Sequence, residues 1–152
     1  MANERITESF FRNHVTEDNF YQTDKVIFEE QSPSNLKIKK LLTNASKSGN
    51  GQGFPEFIIQ FKENPDVIIV VECKAESKYH KSENKSSPKT HAVDGALLYS
   101  SFLSKEFDVI AIAISGETKR ELKISHYLQL KNTNEAHHIF NDNKFLSLSD
   151  YL

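Results

Sequence analysis

The chain has 152 residues, 38% of them hydrophobic and 26% charged, with a formal net charge of -2; this suits one domain with a self-sufficient core and gives no overall cationic signal for nucleic acid. Cys73 is the lone cysteine, which excludes an internal disulfide and points to a reducing, cytoplasmic setting. The longest apolar run, around 67–71, is far too short to span a bilayer, and the polar, acidic N-terminus is unlike a signal peptide.

In chain order, residues 3–15 predict a helix with Asn3 as its cap and Ile6, Phe10 and His14 on one face, Glu8 flanking that stripe. A short strand at 26–30 follows, then the helix-start signal Ser32-Pro33-Ser34-Asn35 and a helix over 36–45 with Leu41 and Leu42 inward. Ser48 to Gly53 holds three of the five glycines and reads as a mobile loop. It lacks the Gly-Lys-Ser/Thr of a phosphate-binding P-loop and precedes a strand, which argues against that function.

Residues 54–74 predict a hairpin, with a turn at Lys62-Glu63-Asn64-Pro65-Asp66 between two apolar strands. A mobile loop over 75–89 leads to a helix over 90–103, in which Ala92, Ala96, Tyr99 and Leu103 recur at helical spacing. The almost purely apolar strand 107–114 has the pattern of a centre strand covered on both faces. A helix between two such strands is a crossover, so 67–74 and 107–114 are expected to be parallel neighbours. Leu122, Ile124, Leu128 and Leu130 alternate around His126, predicting one more strand at an edge. The tail over 145–152 still looks apolar and structured, consistent with one domain over 1–152 taken from a longer protein.

The chemistry-bearing feature is Glu72-Cys73-Lys74 at the end of a strand, with Glu56 sixteen positions earlier. Side-chain alternation sends Glu72 and Lys74 to one face and Cys73 to the other. A hairpin centred near Asn64 pairs positions summing to about 128, an antiparallel register that sets Glu56 opposite Glu72. Two opposed carboxylates are unfavourable unless a cation lies between them or one is protonated, and a hard divalent cation such as Mg²⁺ removes the conflict. Asp66 is the rival acid, but it lies roughly 20 Å from Glu72 along the same strand and reads as a turn residue. Lysines flank the hairpin on both sides: Lys37, Lys39, Lys40 and Lys47 before it, and Lys74, Lys78, Lys81, Lys85 and Lys89 after it. Such clusters either hold a polyanion or are simply solvated. No CxxC, HxH or HExxH pattern suggests zinc, His80 and His91 read as surface residues beside the loop, and His137-His138 diverge.

The order of a helix with Glu8, a strand with Pro55-Glu56, a strand with Glu72-x-Lys74, a helix and an apolar strand resembles the PD-(D/E)xK nuclease superfamily. Ala92-Val93-Asp94-Gly95-Ala96-Leu97-Leu98-Tyr99, with the strand after it, is similar to the N-terminal nuclease module of type I and fused type II restriction enzymes. The resemblance covers about residues 3–116 and implies an α/β, restriction-endonuclease-like αβββαβ core with a mixed central sheet flanked by helices. It implies a Mg²⁺-dependent DNA endonuclease domain of a restriction system, with Mn²⁺ able to substitute.

On that footing Glu56, Glu72 and the Cys73 backbone carbonyl bind the metal. Lys74 stabilises the attacking water, Glu8 joins the catalytic set, and Lys78, Lys81, Lys85, Lys89 and Tyr99 meet DNA. Glu56 stands where Asp is commoner. Gly95 stands where many relatives carry Gln, leaving Asp94 or His91 as substitutes. The expected partners are double-stranded DNA and the motor, methyltransferase or specificity domains of a larger complex, with no membrane. Since no base-reading motif is present, the module is expected to have little sequence specificity of its own. An inactive DNA- or protein-binding module and a repair or junction nuclease on the same fold are the alternatives.

Overall fold

The computed structural model describes residues 3–49, 51–140 and 143–151. Asn50 of the glycine-rich loop and Leu152 of the tail lie outside the described residues. Helix α1 (Glu4–Thr16) is capped by the Asn3 side chain, which accepts from the Arg5 amide. The short helix α2 (Asn19–Gln22), strand β1 (Val26–Glu30) and helix α3 (Leu36–Leu41) follow, α3 capped by the Asn35 side chain. Strands β2 (Phe57–Phe61) and β3 (Asn64–Lys74) form the hairpin, and α4 (Ala92–Leu103) leads into β4 (Asp108–Ser115). Strands β5 (Lys123–Gln129) and β6 (His137–Ile139) complete a mixed six-stranded sheet in the order β1-β2-β3-β4-β5-β6.

Among the described residues only β3 and β4 run parallel, joined through α4 as a crossover requires; every other neighbour pair is antiparallel. The alternation of β3 divides the core. Ile68 and Val70 pack with Ile38, Val93, Ala96 and Leu103 on the α3–α4 face, while Ile69, Val71 and Cys73 pack with Phe11 and Val15 on the α1 face. Each fully buried aliphatic side chain contributes about 1.5–3 kcal/mol relative to exposure, so a strand buried on both faces anchors the molecule. The result is an α/β architecture with helices on both sides of the sheet. Among the described residues, no helix is long and apolar enough to cross a membrane.

Several sequence expectations shift. The buried stripe of α1 is Thr7, Phe11 and Val15, whereas Ile6 is 40% exposed. Phe10–His14 and Phe11–Val15 are adjacent stripes, and docking chose the one ending in a β-branched residue that seats against the sheet. Helix α3 stops at Leu41, and Leu42 and Ala45 reach the core from the turn after it.

The turn of the hairpin tightens to Lys62-Glu63, and Pro65 and Asp66 lie inside β3 rather than in the turn. The register slips between Gln60 and Phe61, where Phe61 pairs with Asn64; such a bulge tolerates a proline that cannot donate to the ladder. Strand β5 is not an edge, because β6 pairs outside it through His126↔Ile139 and Tyr127↔His138. The segment between β3 and α4 is organised by a 3-10 turn at Ser77–Tyr79 and by Asp94. His80 is buried rather than on the surface, its ring bridging the Ser115 and Ser125 hydroxyls at 2.8 and 2.7 Å.

Candidate active site at the end of the parallel strands

Strands β3 and β4 end side by side, with Glu72 opposite Ala113 and Lys74 opposite Ser115. In sheets of this kind the crevice beyond the carboxyl ends of parallel strands is where ligands bind. The N-terminus of α1 is tied to the same end: Thr7 Oγ1 donates to the Gly116 carbonyl at 2.6 Å, and the Asn3 amide donates to Glu117 Oε2 at 2.8 Å. Two segments distant in sequence therefore converge on one mouth.

Glu72 is 0% exposed. Its Oε1 accepts the Glu56 amide at 3.2 Å and its Oε2 accepts Lys47 Nζ at 2.8 Å. The ladder pairs Phe57 with Val71, so Glu56 and Glu72 are the next opposed positions. Burial pushes the Glu72 carboxyl up, and Lys47, then Lys74 and the Glu56 amide, pull it back without cancelling that effect. Desolvation pulls the Lys47 ammonium down, but the charge and hydrogen bond of Glu72 outweigh it and hold Lys47 above its ordinary value.

The Glu56 carboxylate turns toward α1. One oxygen each of Glu4, Glu8 and Glu56 lies within 4.8 Å of the others, and all three side chains are half-buried. Burial, then the charge of Glu72 and a hydrogen bond that protonated Glu56 donates to Glu4, push Glu56 up to about 8. Glu8 is also pushed up, first by burial and then by Glu4, with Arg12 opposing. Arg12 itself is committed to Glu30, donating from Nε at 2.9 Å and from its terminal nitrogen at 2.7 Å. Glu72 stands outside this group of three, its oxygens taken by the Glu56 amide and Lys47 Nζ, and Arg12 also lies 3.7 Å from Glu8. An all-oxygen donor set under mutual repulsion fits a hard divalent cation.

Lys74 is half-buried and its Nζ donates to the Lys89 carbonyl at 3.1 Å, which ties β3 to the loop before α4. Cys73 is fully buried on the opposite face, in the core with Phe11. Gly95 explains how α4 approaches so closely. A Cβ there would stand 3.1 Å from Glu72 Oε2 and 3.1 Å from the Pro88 carbonyl.

Neither substitute considered for that helix position faces Glu72. Asp94 accepts from the Ser82 amide at 3.1 Å, the Ser87 amide at 2.8 Å and the Ser82 hydroxyl, while His91 is engaged by Thr90 and Tyr79. Tyr99, expected to meet DNA, is 1% exposed; its ring packs under Gly53, and its hydroxyl interacts with the Phe54 amide. Lys78, Lys81, Lys85 and Lys89 are exposed, Lys78 pairing with Glu76 at 3.2 Å and Lys85 lying over the Tyr127 ring.

Glu4 escaped the sequence reading, and Lys47 entered it only as one of the lysines flanking the hairpin, without its partner Glu72. Glu4 and Glu8 are four apart on one helix face, a spacing that could have flagged them together. Lys47 sits in a loop with no periodicity, and its partner is 25 positions away, so no local signal marks it.

No family model matches the chain, and no solved structure matches it. Over 105 residues the chain is 36% identical to the type II restriction enzyme and methyltransferase RM.BcgI of Heyndrickxia coagulans. The similarity takes in 60% of this chain but 16% of that protein, so the chain corresponds to a small part of its relative.

Proposed function

We propose that this chain is the Mg²⁺-dependent DNA endonuclease module of a restriction system, of the PD-(D/E)xK kind. The observation that carries the reading is the buried Glu72 at the end of β3, holding the Glu56 amide and followed two residues later by Lys74, beside the Glu4–Glu8–Glu56 carboxylates. The similarity to part of a fused restriction enzyme and methyltransferase supports it.

Glu56, Glu72 and the Cys73 carbonyl would hold the cation, with Glu4 and Glu8 at its α1 side and Mn²⁺ as an acceptable substitute. Such an ion neutralises charge on a phosphodiester and activates water for in-line attack. The chain's own residues do the rest. Glu72 is fixed by two hydrogen bonds, so the site is preorganised before DNA arrives. Lys74, two residues further along the same strand and tied to the Lys89 carbonyl, would orient or stabilise the attacking water. Lys78, Lys81, Lys85 and Lys89 form an exposed cationic border suited to the double-helix backbone. The module cuts with little choice of sequence, works in the cytoplasm, and takes its target from other domains or subunits of a larger protein.

Plasmid cleavage with Mg²⁺ or Mn²⁺ tests this. Wild type should nick or linearise DNA, and Glu72→Ala and Lys74→Ala should each lose at least a hundredfold in rate. Calorimetric Mn²⁺ binding that needs neither Glu56 nor Glu72 would defeat the reading, whichever way the cleavage assay falls.

A further inference from the structure

Phe54 is 53% exposed, the most exposed aromatic side chain among the described residues. A single exposed apolar residue is ordinary. This one is unusual because its backbone cannot withdraw. Gly53, before it, is buried and donates its amide to the Leu42 carbonyl at 2.8 Å. A Cβ on Gly53 would come within 2.7 Å of the Ala45 carbonyl oxygen and 2.8 Å of the Tyr99 ring, so only glycine permits this approach. Pro55, after it, is buried, and the next amide is bound by Glu72. The ring is therefore held out toward solvent by fixed residues on both sides, two positions from Glu56.

Phe54 also stands between two clefts. One, of about 240 Å³, is lined by Lys47, Ser48 and Lys89 with Tyr99 as its floor. The other, of about 400 Å³, is lined by Lys39, Ser32 and Gln31. Among the described residues, neither lining contains an aspartate or glutamate, although the carboxylate mouth is adjacent. A rigid aromatic face between lysine-bearing clefts is complementary to an anion carrying a flat ring. Bases stack on aromatic side chains while lysines take the flanking phosphates.

We propose that Phe54 is a stacking platform for an unstacked base next to the phosphate that is cut, and that the exposed Lys89 in one cleft and Lys39 in the other hold the phosphates flanking that base, Lys47 being engaged by Glu72. The ligand is nucleic acid with a base free to leave its stack. Binding on this ledge favours single strands, and mismatched or frayed duplex over perfect duplex, because the cost of unstacking is already met there. The proposal rests on the nuclease reading for what lies at Glu56, but its own observations are the ledge and the two clefts.

The chain contains no tryptophan, so Phe54→Trp installs a unique fluorophore on the ledge. Tyr21→Trp, at an exposed position on α2, serves as the control. Each variant is titrated with a short thymidine oligonucleotide and with matched and single-mismatch duplexes, using Ca²⁺ to limit cutting. Emission from position 54 should be quenched, most by single strand and mismatch, and emission from position 21 should not change. Phe54→Ala should weaken single-strand affinity about tenfold, as expected for ~1.4 kcal/mol of lost stacking, and Phe54→Tyr should restore it.

Equal quenching at both positions, or single-strand affinity unchanged in Phe54→Ala, overturns the proposal. Quenching that tracks protein concentration without oligonucleotide also overturns it, in favour of a contact between copies of the chain. Mn²⁺ binding that depends on Glu56 and Glu72 is measured on the same samples. It reports on the nuclease reading separately, since Phe54→Ala leaves every carboxylate in place.

Discussion

Lys47 Nζ donates to Glu72 Oε2 at 2.8 Å, joining a loop side chain to a strand carboxylate that has no exposed surface. The pair neutralises the deepest charge in the mouth and pins the loop between α3 and β2 over the end of β3. A buried ion pair is weak evidence of net stabilisation, but removing one partner strands the other charge in a poor solvent.

Lys47→Met should therefore destabilise the fold by about 3–5 kcal/mol, lowering Tm by about 10 °C. Glu72→Gln combined with Lys47→Met should cost clearly less than the sum of the single changes, because the stranded charge is gone. Urea unfolding of the four proteins measures this; strict additivity would mean that the contact carries no coupling.

Gly95→Ala separates stability from activity. Alanine improves helix propensity by about 1 kcal/mol, and the close approach to Glu72 and Pro88 opposes that gain. Stability should change by less than about 1 kcal/mol. DNA cleavage should fall at least tenfold, since displacing Glu72 misplaces the group that orders the site. Unchanged cleavage would show that the mouth has slack at this helix.

Asp94→Ala removes the acceptor for two backbone amides and a hydroxyl, leaving half-buried donors without that partner. The expected cost is about 1–3 kcal/mol. Hydrogen exchange should speed up over residues 80–91 while β3 and β4 stay protected. Exchange that rises uniformly across the sheet would place Asp94 in the global core instead.

Acid should destabilise the protein through two histidines. Burial, and then nearby positive groups (Lys123 and Lys81 for His80, His138 for His126), lower both to about 4. In the unfolded chain they titrate near 6.5. Between these values the unfolded state binds more protons, so the contribution is fully present above about 6.5 and is lost as pH falls toward 4. Each histidine should add a slope of up to ~1.4 kcal/mol per pH unit in that window. His80→Gln and His126→Gln should each flatten the profile of Tm against pH, and a parallel profile in both variants would contradict this.

Local chemistry was enough for much of the scaffold. Strand alternation and a turn centred near Asn64 pointed to the pairing Phe57↔Val71 through Gln60↔Ile68, and so to the opposition of Glu56 and Glu72, although the slip after Gln60, not the two-residue turn Lys62-Glu63 alone, sets this register. An apolar helix between two apolar strands implied the parallel pairing of β3 with β4, because such strands can be joined only by a crossover. These features are periodic and short-range, and they are written in neighbouring residues.

Tertiary structure decided the occupants of the mouth. Glu4 joins Glu56 only because Thr7 and Asn3 dock α1 on the turn after β4. Lys47 meets Glu72 only because Gly53 and Gly95 let the loop and α4 close on the same carboxylate. Tyr99 shares the helical spacing of Ala92, Ala96 and Leu103, which already spoke for burial and against a contact with DNA, and packing places it under the Phe54 ledge. Strand β5 became interior when a three-residue strand with no apolar signature paired outside it. Contacts between segments far apart in sequence are fixed by shape and by which polar groups need partners, and neither leaves a period in the sequence.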